Sequence, residues 1–240
     1  MKILISGYGR MGHEVEKTAL HRGHSILAQF DTTRDWERLS ALPGKPDAVI
    51  DFSTPESAPD VADLCFSHRI VLISGTTGWP EKLAAAIEKS RQLKVPFFYA
   101  PNFSPGMNIF FELNRRLAKL MKIQADSRAE IQEIHHIHKL DAPSGTAIAL
   151  ASQIIDENPR YNQWSKGEAA SGDILPVFSI RQGEVPGTHI VKWQGKDDTI
   201  EMHHMAHNRS GFAFGAVLAA EWMQGRNGFF QMKDLMADMV

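Results

Sequence analysis

Residues 2–12 read KILISGYGRMG: a short aliphatic run, then glycines at 7, 9 and 12, then the first turn of a helical pattern that continues to Leu20. In such a G-x-G-x-x-G, Gly7 permits a tight turn and Gly9 lets the backbone approach a pyrophosphate. Gly12 lets the helix pack closely on the strand. Phosphates would then meet the helix N-terminus, where free N–H groups and the dipole favour anions. Taken alone the motif is weak, because glycine-rich turns recur by chance. The strand before it and the helix after it strengthen it, as does Asp31, which ends the next strand about 20 residues on, where a carboxylate accepts ribose hydroxyls. Asp31 favours NAD, since its charge repels a 2′-phosphate, whereas Arg34 beside Thr32 and Thr33 tolerates NADP. The motif therefore leaves NADH or NADPH open.

Working outward, strand-like runs recur at residues 24–31, 47–53, 70–75 and 95–101, with helical stretches at 56–68 and 80–93 between them. Strands alternating with helices predict βαβ units and a parallel sheet, and near-continuous apolar runs suit strands buried on both faces. The pattern changes after residue 105. Helices are expected at 108–122 and 144–157, then a polar segment at 156–173, then three strand-like runs without helices at 177–183, 187–195 and 199–206. Short turns between those runs predict antiparallel pairing. A final helix is expected at 211–225. The expected fold class is α/β: a Rossmann-type parallel sheet with a second α+β domain built on a mostly antiparallel sheet. The domains are residues 1–104, completed by 209–240, and residues 105–208.

The net charge of −2, with no basic block, gives no footprint for nucleic acid. The single cysteine, Cys65, excludes an internal disulfide and fits a reducing compartment. It lies in an apolar stretch, as a buried small hydrophobe would. No window approaches a membrane span, and the N-terminal apolar run is too short for a signal peptide. A soluble, cytoplasmic protein is expected.

Residues 130–151, EIQEIHHIHKLDAPSGTAIALA, concentrate chemistry. A metal reading would use His135, His136 and His138, with or without His203, His204 and His207. On a strand, however, adjacent residues face opposite sides, and no H-E-x-x-H or Cys/His spacing accompanies them. No metal is expected, and His138, His203, His204 and His207 read as polar residues of partly exposed strands. His135, His136 and Lys139 read otherwise, because a helix start lies just beyond them. Pro143 precedes a helix that Ser144 caps, which leaves the amides of Gly145 and Thr146 facing outward to hold a carboxylate. Histidine donates or accepts a proton near neutrality, and lysine holds a carboxylate or protonates a developing carbanion or imine. In one extended strand His135 and Lys139 would stand ~13 Å apart at ~3.3 Å per residue. The strand must therefore end near His136 and the loop must bring Lys139 back.

The stretch EIHHIHKLDAPSGTA (133–147) closely resembles the signature E-x-H-H-x-x-K-x-D-A-P-S-G-T-A of the dihydrodipicolinate reductase family. The blocks GYGRMG, DFSTPE (51–56), GTTGW (75–79), APNFSPGMN (100–108), IRQGEVPGTHIVKWQG (180–195) and NRSGFAFGA (208–216) resemble that family's blocks in the same order. The resemblance implies hydride transfer from NADH or NADPH to a cyclic dicarboxylate in lysine and diaminopimelate biosynthesis. The first domain would bind the dinucleotide; the second would bind substrate and assemble a homotetramer. It puts the acid/base histidine on His135 and the proton-donating lysine on Lys139. Substrate contacts fall on His136, Ser144, Gly145 and Thr146. Cofactor contacts fall on Gly7, Tyr8, Gly9, Arg10, Met11 and Gly12, on Asp31 and Thr32, and on Gly75, Thr76 and Thr77. Ala100, Pro101, Asn102 and Phe103 complete that set. The glycine loop is one residue shorter than in many members, and Asp31-Thr32-Thr33-Arg34 replaces the frequent acidic–arginine pair. Pro105 stands where an aliphatic or small residue is common and would stiffen the hinge between domains. Two other readings share part of this pattern. Another two-domain NAD(P)-dependent amino-acid dehydrogenase would have the glycine motif without the central signature. A non-catalytic dinucleotide sensor would need neither His135 nor Lys139.

Overall fold

The structure is a computed structural model that describes residues 1–168 and 171–239. In chain order it runs β1 (Lys2–Ser6), α1 (Arg10–His21), β2 (Ser25–Phe30), β3 (Ala48–Asp51), α2 (Ala58–Ser67), β4 (Val71–Ser74), α3 (Pro80–Leu93), β5 (Pro96–Tyr99) and α4 (Pro105–Leu120). Then come β6 (Arg128–His135), α5 (Gly145–Glu157), β7 (Gln163–Lys166), β8 (Ile174–Arg181), β9 (Thr188–Gln194) and β10 (Thr199–Met205). The chain closes with α6 (Ser210–Trp222), β11 (Gly228–Phe230) and α7 (Met232–Asp238), and 3-10 turns cover Thr33–Ala41 and Met121–Ile123. Two compact units result: Met1–Pro105 with Arg209–Val240, and Gly106–Asn208.

In the first unit six strands lie in the order β11-β5-β4-β3-β1-β2, and every pairing is parallel. Successive side chains on a strand point to opposite faces, so each apolar run serves two cores at once. Ile3, Ile5, Ile50, Ile73 and Phe98 pack under Val15 and Ala19 of α1 and the small residues Ala213, Ala216 and Ala220 of α6. Leu4, Val49, Leu72 and Phe97 face the other way, onto Val61, Cys65 and Phe66 of α2 and Ala86 of α3. Cys65 is fully buried, and burial pushes its thiol well above the ordinary range.

In the second unit the order is β10-β9-β6-β8-β7. The pairs β10–β9 and β9–β6 are antiparallel, while β6–β8 and β8–β7 are parallel. The second sheet is thus mixed, because α5 carries the chain from β6 back to a strand running in the same direction, as a crossover helix does. One face packs on α4 and α5 through Ile131, Val177, Val191 and Trp193 against Met107, Phe110, Leu150 and Ile154. β7 falls inside the segment expected to be an irregular polar stretch; four residues including Ser165 and Lys166 give little strand propensity. β11 and α7 likewise lie beyond the elements expected from sequence.

Candidate active site

At the carboxyl ends of the first sheet, main-chain bonds align four loops. Gly7 N–H donates to Phe30 O (2.8 Å), Phe52 N–H to Ser6 O (2.8 Å), Gly75 N–H to Asp51 O (2.8 Å) and Ala100 N–H to Ser74 O (3.2 Å). Ligands of open α/β sheets bind at this edge. Gly7 has φ +81°, and a Cβ there would lie 2.4 Å from Phe52 O. A Cβ on Gly12 would lie 2.5 Å from Gly7 O, whereas one on Gly9 would meet nothing within 4 Å. The open space thus lies in front of Gly9, where α1 begins. Asp31 accepts Tyr8 N–H at 2.8 Å, which ties the end of β2 to the glycine loop. A cavity of ≈190 Å³ beside them is lined by Asp31, Thr32, Trp36, Ser53 and Ser57 among others. An open glycine loop at a helix start, a carboxylate at the next strand end and a cavity beside it fit a dinucleotide.

The other expected cofactor residues differ in what they offer. The Thr76 hydroxyl donates to Asp51 Oδ2 (2.8 Å) and its carbonyl accepts from Trp79 Nε1 (2.7 Å), leaving its N–H for a ligand. Asp51 also accepts from Ser74, and burial raises its carboxyl above the ordinary value. Thr77, Pro101 and Arg10 are exposed, and Asn102 Oδ1 accepts Ser104 N–H (2.9 Å). Phe103 is buried, stacked on Phe98 and edge-on to Phe52, so its ring belongs to the core. Met11 packs against the same core, Ala100 is buried within it, and the Tyr8 hydroxyl is held by Glu16.

In the second unit β6 ends at His135, one residue before the end expected from sequence. Its core face carries Ala129, Ile131, Glu133 and His135, so the period of two puts Glu133 and His135 side by side. Register supplies their neighbours: Glu133 is opposite His189 on β9, and His135 opposite Arg181 on β8. Glu133, fully buried, accepts Ser144 N–H on both oxygens (3.0 Å each), and Arg181 Nη2 lies 3.3 Å away. His135 Nδ1 lies 3.3 Å from Glu133 Oε2, and the His135 and His189 rings meet edge to face at 5.2 Å. Burial alone would raise the Glu133 carboxyl, but its contacts with His135 and Ser144 outweigh burial and hold it well below the carboxylate range. Burial and the neighbouring His135 push His189 down to about 3, so it is neutral at pH 7.

Beyond His135 the chain turns. Lys139 N–H donates to His136 O (3.2 Å), and the Arg181 guanidinium donates to the carbonyls of Lys139 and Asp141. This curls Lys139 back, with Nζ 2.8 Å from Asp141 Oδ1. His136 is half-buried, its ring 6.1 Å from that of His138. His138 and His203 meet Glu184 and Glu201 at the surface, and the His204 ring lies 6.0 Å from that of Phe110. Ser144 caps α5 by accepting Ala147 N–H (3.2 Å), and its carbonyl accepts Ile148 N–H. The amides of Gly145 and Thr146 are left for a ligand, and a Cβ at Gly145 would meet nothing within 4 Å. Ser144→Ala is expected to cost about 1 kcal/mol and lower Tm by about 2–4 °C, read by thermal denaturation.

Among the described residues, Glu133, His135 and His189 form a trio of metal-type ligands with donor atoms within 4.8 Å of one another. The donor set argues against a cation there. Glu133 already takes the Ser144 N–H on both oxygens and the Arg181 guanidinium, whose charge would repel a metal. Glu133, Arg181 and His189 were not singled out in the sequence. Glu133 carried a usable signal, two residues before His135; the other two arrive only through strand register.

The sequence model of the family described as "Dihydrodipicolinate reductase, N-terminus" matches residues 1–103, and that described as "Dihydrodipicolinate reductase, C-terminus" matches residues 106–236. The 4-hydroxy-tetrahydrodipicolinate reductase of Christiangramia forsetii is 44% identical over 239 residues, covering 100% of this chain and 99% of the relative. That of Archaeoglobus fulgidus is 33% identical over 260 residues, covering 98% and 100%. Among solved structures, a dipicolinate-bound dihydrodipicolinate reductase from Paenisporosarcina sp. TG-14 superposes with TM-score 0.79 at 22% identity, over 96% of this chain and 97% of that one. At that identity it establishes the shared fold.

Proposed function

The chain belongs to the dihydrodipicolinate reductase family, and we propose that it reduces 4-hydroxy-tetrahydrodipicolinate to tetrahydrodipicolinate in lysine and diaminopimelate biosynthesis. The balance is substrate plus NAD(P)H and one proton, giving product, NAD(P)+ and water. The observation that carries the reading is the His135–Lys139 turn leading into the open N-terminus of α5. A small dianion needs cationic side chains and free amides, and this turn presents both. When bound, NAD(P)H supplies the hydride. The chain's own residues do the rest. The loop at Gly7–Gly12 and Asp31 orient the dinucleotide, with the N–H of Thr76 and the backbone of residues 100–103 beside it. Lys139 and the amides of Gly145 and Thr146 hold carboxylates, with His136 alongside. His135 and Lys139 supply the proton that accompanies hydride addition.

Asp31 would bring its carboxylate against a 2′-phosphate. Arg38, the neighbouring cation, is engaged at 3.1 Å by Asp35, which also accepts from Asp31 N–H and Thr32 N–H. Like charges ~4 Å apart cost ~1 kcal/mol even in water, so kcat/KM with NADH is expected to exceed that with NADPH by about fivefold or more. Arg34, exposed and without an ion pair among the described residues, tempers the preference. Oxidation of each cofactor at 340 nm checks this, with substrate made in situ from pyruvate and aspartate semialdehyde by its synthase. Turnover with this substrate supports the reductase reading. Tight NADH binding without turnover would favour a sensor or another dehydrogenase.

Assembly into a homotetramer through the second sheet is part of the proposal. The face turned away from α4 and α5 shows Ile134, Ile190 and Met205 around an apolar hollow of ≈420 Å³. A cytoplasmic location follows from the biosynthetic role and the unpaired Cys65. Among the described residues no helix is long and apolar enough to cross a membrane.

A further inference from the structure

We propose that Glu133 is a positioning residue that joins the two working parts of this site, holding the His135 imidazole and the start of α5 to one buried carboxylate. The inference rests on the reductase reading for its kinetic consequences, but its physical content is independent of the substrate.

The geometry gives Glu133 three attachments. Its oxygens take the N–H of Ser144, the residue that caps α5 and precedes the free amides of Gly145 and Thr146. One oxygen lies 3.3 Å from His135 Nδ1. The other lies 3.3 Å from Arg181, which in turn grips the carbonyls of Lys139 and Asp141. The imidazole, the ammonium-bearing turn and the anion-binding helix end therefore all refer to a single group. A fully buried carboxylate is costly to desolvate and survives only where it is satisfied. An ion pair needed only for stability would require Arg181 alone; here the same charge also reaches the helix cap and the imidazole.

Charged and titratable groups face His135 from each neighbouring element. Its own strand brings Glu133, β8 brings Arg181, and β9 brings His189, with His204 of β10 beyond it. The turn after β6 brings Lys139, paired with Asp141. His189 is neutral at pH 7, and burial also lowers His204. Asp141 is neutralised by Lys139. Glu133 is thus the anion in contact with the imidazole. Glu133 Oε2 lies 3.3 Å from Nδ1, while Nε2, on the other side of the ring, is directed at Gly187.

The test compares histidine-selective 15N NMR spectra at one fixed pH, and steady-state kinetics, of the full chain and its Glu133→Gln variant. The His135 ring signals are expected to move and broaden, as the imidazole loses the group that holds it. Turnover should fall by about 10²-fold, with NADH binding unchanged by fluorescence titration. Glu133→Asp, which draws the charge back by one carbon, should show a smaller shift and partial recovery. If Glu133→Gln fails to fold, the Glu133→Asp comparison decides alone. Unmoved His135 ring signals in a folded variant overturn the proposal. A wild-type chain without turnover would refute the reductase reading while leaving the NMR comparison to judge Glu133.

Discussion

Replacing His135 or Lys139 by alanine is expected to lower kcat by about 10²- to 10⁴-fold, the range of a lost general acid or base, while NADH affinity stays within about twofold. The two halves of this expectation rest on different parts of the chain. His135 and Lys139 belong to the second unit, whose core forms around Ile131, Val191 and Trp193. The glycine loop belongs to the first unit, with cores of its own. In His135→Ala the Glu133 carboxylate keeps Ser144 and Arg181, so no unpaired buried charge is created and the fold survives. In Lys139→Ala the exposed Asp141 loses its partner at little cost. If both residues serve one proton, the double variant will be hardly worse than either single one. Steady-state kinetics with a parallel NADH fluorescence titration decide the matter, and normal turnover in both single variants would remove the assignment.

The second large effect concerns two glycines that look equivalent in the motif. Gly7→Ala is expected to destabilise by about 2–5 kcal/mol, combining a positive φ with an overpacked contact: its Cβ would lie 2.4 Å from Phe52 O. Gly9→Ala meets no protein atom within 4 Å and should leave stability within about 0.5 kcal/mol. Its methyl would instead occupy the space reserved for the pyrophosphate, raising the NADH Kd about tenfold or more for ~1.4 kcal/mol of lost binding. Thermal denaturation and cofactor titration of the two variants separate a fold glycine from a ligand glycine. Equal Tm losses for both would mean that Gly9 is also structural.

How much of this was legible in the sequence depended on whether the signal was local. Strands β1 to β5 of the first sheet were, because strands buried on both faces are written as unbroken apolar runs, VLIS in β4 and AVID in β3 being examples. α3 was found at its full extent, since Pro80 marks a start that fixed φ favours. β7 and β11 were not, being short strands whose partners are distant in sequence. The direction of β8 beside β6 was likewise hidden, and with it the mixed character of the second sheet. At the site, Ser144, Lys139 and His135 showed themselves through capping and side-chain chemistry. Arg181 and His189 did not, since only pairing brings residues 48 and 54 positions from Glu133 and His135 into contact. Phe103 entered the cofactor set through the family resemblance; its ring lies in the core, against Phe98 and Phe52.

The first unit is interrupted: α6, β11 and α7 are encoded after the whole of the second. On the ribosome, residues 106–208 have all emerged and can complete their sheet while the earlier unit still waits for its last 32 residues. Until those arrive, β5 is an unpaired edge, and the face formed by Ile3, Ile5, Ile50 and Ile73 lacks the alanines of α6 that cover it. The order of synthesis thus makes the N-terminal half the last to mature, and a message truncated near codon 208 would yield a chain whose exposed strands invite aggregation.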